Sequence, residues 1–264
     1  MTLLVGVLCT NGIVIAADKQ ATHGAMGMQT IGQSITKINL VGTDTLFASS
    51  GRQGLGQQLE GVVRTKHSSF HKNDYHPAIQ EVQKGFRDIL DPALVTAHLA
   101  ARVYGPEVAM DDATCACLLA TRFKDGLKLV EISNQASVEY LTPELPFITL
   151  GSGKGTADPF LGFLRKVFWP SRSPSVVEAA LAAYWTVKHA IDMKVRDVGF
   201  DVDVFTLEPK GSAYEGAQLD EAHLKEHEDF RIAAEQRLAS LRGELESVSA
   251  PGATAPSEPP QLKP

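Results

Sequence analysis

The chain has 264 residues but only three cysteines, Cys9, Cys115 and Cys117, each within an apolar run. An odd number of such thiols gives no disulfide framework and fits a reducing compartment. Cys115 and Cys117 are two residues apart and would face the same side of a strand. No window approaches the roughly eighteen apolar residues of a membrane-spanning helix, and the first residues lack a basic segment with a small-residue cleavage site. Neither a membrane span nor a secretory signal is expected, and the chain reads as cytoplasmic. Positive charge is also scarce: 25 Lys and Arg against 31 Asp and Glu leave a formal net charge of −6, with the basic residues scattered. Nothing marks a nucleic-acid-binding face. What is present is an ordinary globular composition, 44% hydrophobic and 21% charged, long enough for one domain plus a tail.

The strongest local pattern lies at the start. Residues 3–9 and 13–17 are rich in Val, Ile and Leu, and between them Thr10-Asn11-Gly12 is hairpin chemistry, because Asn and Gly tolerate positive φ. Thr2 follows Met1, and so small a side chain permits removal of the Met. That cleavage would leave an N-terminal threonine, which holds a hydroxyl nucleophile and its own base, an α-amino group of pKa roughly 7.7–8. Asp18 ends the second run, where a carboxylate could reach back across the hairpin towards residue 2. Lys37 follows in a strand-like run over residues 34–40, and Ser49-Ser50-Gly51-Arg52-Gln53-Gly54 then forms a turn of small residues. Taken one by one these have plainer readings: Thr2 as a residue that permits Met removal, Asp18 as a turn residue, Lys37 as a solvated strand lysine.

In this order they resemble the proteasome β-subunit family and its bacterial HslV-type relatives, the N-terminal-nucleophile threonine peptidases. The resemblance rests on the T-x-x-V-G-x-x-x-x-x-G-x-V-x-A-A-D pattern from Thr2 to Asp18, the Lys37 run and the Gly51-x-x-Gly54 turn, and extends more loosely to about Leu207. It implies an α+β fold, a four-layer αββα sandwich. It assigns Thr2 as nucleophile, Lys37 as the cation that lowers the hydroxyl pKa, Asp18 as the anchor of Lys37, and the Gly51 N–H as oxyanion donor. Ser152, in the Gly151-Ser152-Gly153 turn, matches a serine that holds the terminal amine and a proton-relaying water. A further acidic partner is expected at Asp192 or Asp197, and Val198 or Gly199 stands where the family has another serine. Ala21, Ile35, Ser49 and Gln53 fall at positions that line the family's specificity pocket. No metal or organic cofactor is implied. The implied partners are unfolded polypeptide substrates, further copies in a double ring of six or seven subunits per ring, and an ATP-dependent unfoldase or regulator. Two alternatives are a catalytically silent ring scaffold and an amidase acting on a small non-peptide amide.

Further along, residues 55–63, 77–90 and 91–104 have helical periodicity, with Asp91-Pro92 read as the cap and first turn of the last of these. Strands are expected at 114–120, 127–133 and 137–141, with a turn at Lys124-Asp125-Gly126, and helices at 158–169 and 174–193. The second of these helices opens with a Ser175-x-x-Glu178 capping box, and a last strand over 202–207 closes the body. Residues 150–156 resemble a phosphate-binding loop but have Ile148 where its first Gly should be and Gly155 after the Lys. His223-Leu224-Lys225-Glu226-His227 fits an inverted zinc-peptidase pattern, yet lies in a charge-rich stretch better read as a solvated helix. The expected organisation is a peptidase domain over 2–210, a charged helix over 218–246 and a disordered Pro-, Ala- and Ser-rich tail over 247–264. The extension beyond the last strand is the candidate for docking between subunits or to a partner.

Overall fold

Alternation along the first two strands sets the layers. In β1 (Leu3–Leu8), Leu3, Val5 and Val7 enter one core and Leu4 another. In β2 (Ile13–Asp18), Val14 and Ala16 join the first core, while Ile13, Ile15 and Ala17 join the second. A strand whose two sides are both apolar must be covered on both faces. Each fully buried Leu or Ile there contributes about 1.5–3 kcal/mol. The structure, a computed structural model, describes residues 2–25, 28–105 and 113–248.

β1 and β2 lie in an antiparallel five-stranded sheet with β10 (Phe147–Gly151), β11 (Val202–Lys210) and β12 (Ala213–Gln218), ordered β10-β1-β2-β11-β12. The second sheet runs β5 (Ile38–Val41), β6 (Thr45–Gly51), β7 (Cys115–Phe123), β8 (Gly126–Ile132) and β9 (Val138–Tyr140) in sequence order. Leu4, Ile13 and Ile15 meet Ile38, Leu46, Leu118 and Leu129 between the sheets. α1 (Gln53–Lys66) and α2 (Tyr75–Tyr104) cover the second sheet through Leu59, Val63, Val82 and Phe86. α3 (Lys154–Phe168) and α4 (Val176–Asp192) cover the first through Leu161, Leu164, Ala183 and Val187. The architecture is therefore the expected αββα sandwich. Cys115 and Cys117 both face the core under α1 and α2. The capping box at the start of α4 is present in both directions, Ser175 with Glu178.

Several local expectations are corrected. The first hairpin forms, but neither Asn11 nor Gly12 is left-handed. Gly12 is needed for closeness, since a Cβ there would come within 2.7 Å of Val176 Cγ2 and 2.8 Å of the Leu207 carbonyl. Lys37 is not in a strand but directly precedes β5; the chain before it forms a separate two-stranded hairpin, β3 (Gln20–Ala25) and β4 (Met28–Ser34), whose polar sequence gives little strand signal. Pro92 does not start a helix. It sits inside the continuous α2, and Asp88, whose carbonyl loses its partner there, is exposed and open to water. α3 begins at Lys154, earlier than residue 158, and β12 carries the sheet past residue 210. α5 (Glu221–Val248) continues two residues beyond 246. The rest of the expected tail, 249–264, lies outside the described residues.

α5 is anchored over its first half, where Leu224 and Ala234 pack against the α4 core. Tyr184 Oη donates to Glu228 Oε2 (3.2 Å) and Trp185 Nε1 to Glu235 Oε1 (3.0 Å). Arg231 reaches Glu228, Glu235 and Asp192 at 2.7, 2.8 and 3.4 Å. Beyond this point Leu238, Leu241 and Leu245 are exposed.

Candidate active site

Asp18 is the fully buried centre of the site. Its Oδ1 accepts from the Leu3 N–H at 2.8 Å and from Lys37 Nζ at 2.7 Å. Its Oδ2 accepts from the N–H groups of Gln20 at 3.1 Å and Gly199 at 3.2 Å. A carboxylate has about four acceptor positions, and here four donors from four chain segments occupy them. This filling offsets the cost of burying the charge. The pair is held on each side by backbone: Asp18 ends a central strand, and Lys37 enters β5, which pairs with β6. Burial lowers the Lys37 pKa from 10.5, and the neighbouring Asp18 carboxylate opposes that shift.

Thr2 is buried immediately before Leu3, whose N–H shares Asp18 Oδ1 with Lys37, so one oxygen ties the lysine to the start of β1. Leu3 pairs with Gly151, placing Thr2 against the β10 turn. Gly151 has φ +96°, and a Cβ on it would overlap the Thr2 carbonyl oxygen. The same hypothetical Cβ would lie 2.9 Å from Ser50 Oγ, so the end of β6, with Gly51 at φ +124°, adjoins the same place. Both positions require a residue without a side chain. Ser152 is exposed, its Oγ 3.5 Å from the Thr2 carbonyl oxygen, the outer limit for a hydrogen bond.

The two acidic candidates part company. Asp192, at the end of α4, has its carboxylate 3.4 Å from Arg231 of α5, outside the Asp18 cluster. Asp197 is buried in the loop after α4, two residues from Gly199, with Arg196 Nε 3.5 Å from its carboxylate. Of the pocket candidates, Ala21 lies on β3 and Ile35 just after β4, its N–H donating to the Lys19 carbonyl at 2.8 Å. Ser49 lies on β6 opposite Cys117, and Gln53 opens α1. Sequence reasoning missed the Gly199 donor, because a backbone N–H leaves no side-chain signature.

The other motifs are engaged elsewhere. Lys154, in the phosphate-loop-like segment, donates to the Thr149 carbonyl (3.1 Å) and pairs with Asp158 (2.8 Å). His223 contacts Asp220 at 2.7 Å, and the His227 ring lies against Tyr184. Burial pushes the Cys9 and Cys115 thiols up to about 12 and Cys117 well above its usual range, so none is a ready nucleophile. Among the described residues no helix is long and apolar enough to cross a membrane.

Residues 2–90 match the family model described as Proteasome subunit. No curated protein sequence matches the chain. Among solved structures, Anbu (ancestral beta-subunit) from Yersinia bercovieri is 16% identical with a TM-score of 0.65, the match covering 96% of this chain and 100% of that one. The helical assembly of the Anbu complex from Pseudomonas aeruginosa is 18% identical at TM-score 0.62, covering 95% and 98%. A Gly-1 mutant of Anbu from Hyphomicrobium sp. strain MC1 is 15% identical at TM-score 0.62, covering 90% and 97%. With the family match over the segment that holds Thr2, Asp18 and Lys37, and the likeness in fold over nearly the whole chain, the protein has the fold of a proteasome-like N-terminal-nucleophile hydrolase.

Proposed function

We propose that this protein is a threonine peptidase that hydrolyses peptide bonds in unfolded polypeptides, with Thr2 exposed as nucleophile by loss of Met1. The observation that carries the reading is the buried Asp18 carboxylate, which holds Lys37 and the Leu3 N–H on one oxygen. Such an arrangement keeps an ammonium beside the residue that precedes Leu3. In the proposed reaction the free Thr2 amine takes the hydroxyl proton, directly or through water, as Oγ bonds to the scissile carbonyl carbon. The Lys37 charge favours the alkoxide, and the Gly51 N–H faces the oxyanion, an interaction typically worth roughly 10²–10³ in rate. Collapse of the tetrahedral intermediate breaks the C–N bond and the leaving amine takes the proton. Water then hydrolyses the Thr2 ester. Asp197 is the better placed acidic partner for the amine, since Asp192 serves α5.

The test is intact-mass analysis with and without an epoxyketone or β-lactone. Loss of Met1 with a single adduct on Thr2 is expected; a free Thr2 that stays unlabelled under conditions that label a control peptidase would refute the reading. The labelling rate should rise through about pH 7.7–8 as the amine loses its proton. It should fall again below pH 10.5, because burial makes Lys37 give up its proton early. An alkaline limb at or above 10.5 would contradict that placement of Lys37.

Assembly with further copies in the cytoplasm is part of the proposal, supported by the helical assembly of a fold relative. A ring of six or seven subunits and an unfoldase partner rest on the family resemblance. α5 supplies a candidate contact between subunits, since Leu238, Leu241 and Leu245 are exposed on its distal half. Deleting residues 219–264 should lower the assembly state in sedimentation and uncover the α4 face around Trp185. Unchanged assembly and solubility would remove α5 from the interface.

A further inference from the structure

We propose that the Gly199 N–H is a positioning donor for Lys37: it fixes the Asp18 carboxylate from the side opposite Thr2 and so sets where the ammonium stands. The inference rests on the peptidase reading for its catalytic consequence. Asp18 Oδ1 serves the reactive side, accepting from Leu3 and Lys37, while Oδ2 accepts from the backbone N–H groups of Gln20 and Gly199. A carboxylate held on both oxygens cannot rotate about its last torsion. Without the Gly199 donor, Gln20 alone would restrain Oδ2, and Oδ1 could carry Lys37 away from the start of β1.

The backbone around Gly199 is built for this contact. Lys194, Asp197 and Phe200 all have positive φ, at 54°, 62° and 64°. Left-handed non-glycine residues so close together persist where the surroundings over-determine them, and they gather at functional sites. The loop is tied at its start by the Lys194 N–H to Ile191 (2.9 Å) and the Val195 N–H to Ala190 (3.1 Å). At its end the Lys19 N–H donates to the Asp201 carbonyl at 2.9 Å, and Val202 pairs with Asp18. Gly199 is also packed against the other Oδ2 donor, since a Cβ on it would overlap Gln20 Oε1. Nearby charges have their own contacts: Lys19 with Asp203 at 3.5 Å, Arg196 with Asp197 at 3.5 Å, and the Asp201 carboxylate with the Val202 N–H at 2.9 Å. Where the sequence resemblance led to the expectation of a serine, the backbone therefore supplies a donor without a side chain.

The experiment compares Gly199→Pro, which removes the N–H, with Gly199→Ala, which keeps it and adds a Cβ that the flexible end of Gln20 can yield to. The readouts, on full-length protein, are the rate of Thr2 labelling by a β-lactone across pH and the titration of Lys37 followed by ¹³Cε resonance. Gly199→Ala should slow labelling by no more than about threefold and leave the Lys37 titration near that of the parent. Gly199→Pro should slow it by about 10- to 100-fold, as misplacement of a reacting group does, and move the Lys37 titration to lower pH as Asp18 holds it less well. Equal behaviour of the two variants in both readouts overturns the proposal. A second measurement needs no variant: in ¹⁵N-glycine-labelled protein the Gly199 amide should resist exchange and shift with the same midpoint as Lys37, and an amide that exchanges freely or ignores that titration also overturns it. If Thr2 in the parent protein is never labelled, the peptidase reading fails, while the Lys37 and Gly199 titrations still decide the positioning contact.

Discussion

Thr2→Ala is expected to abolish covalent labelling by an epoxyketone or β-lactone and to lower peptide hydrolysis by roughly 10⁴–10⁶, the scale of removing a nucleophile. The fold should survive, because alanine keeps the Cβ and Asp18 keeps its donors from residues 3, 20, 37 and 199. A loss of about 1 kcal/mol for a buried methyl and hydroxyl would lower the melting temperature by about 2–4 °C in a chain of this size. Thr2→Ser retains the hydroxyl and should still take the adduct, more slowly. Labelling that persists in Thr2→Ala at an unchanged rate would place the nucleophile elsewhere. The cysteines are poor substitutes, with Cys9 and Cys115 both pushed to about 12.

Lys37→Met should carry the largest stability cost at the site. It keeps much of the side-chain volume but leaves Asp18, fully buried, without its counter-charge. Breaking a buried pair in this way costs about 3–5 kcal/mol. Thr2 labelling should fall by roughly 10²–10³ through loss of the nearby ammonium. Asp18→Asn combined with Lys37→Met should be less destabilised than the sum of the single changes, since neither then strands a charge. Additive losses in denaturant titration would show that the pair is not coupled. The pH dependence has a definite sign: Lys37 in the folded protein has a pKa below 10.5, so just below that value the unfolded chain binds more protons. Lys37 therefore favours folding more as pH rises through that window, and Lys37→Met should flatten this part of the stability profile.

The β1–β2 hairpin and the α4 capping box were legible because each depends on residues close in sequence. β3, β4 and β12 were not, since strands as polar as Gln20–Ala25 and Ala213–Gln218 show little pattern of their own: β12 adds to the free edge of β11, and β3 and β4 pair with each other in a separate hairpin. Pro92 misled for a similar reason: its local signal for a helix start was overridden by α2 packing on both sides of it. The contact of Asp192 with α5 also lay outside sequence reach, because its partner Arg231 comes from 39 residues away.

By itself the sequence determined the kinds of group available: a threonine next to Met1, a carboxylate ending the second strand, a lysine in a strand-like run, and the glycines of the turns. Those choices are local, governed by side-chain chemistry and by periodicities of two and 3.6 residues. Tertiary structure alone decided that Asp18 gathers donors from residues 3, 20, 37 and 199 on its two oxygens. One of these, Gly199, comes from 181 residues away, and three of the four donors are backbone N–H groups, identical in every residue except proline. No residue type encodes such a contact, and only the packing of the strands and the loop after α4 brings them to one carboxylate.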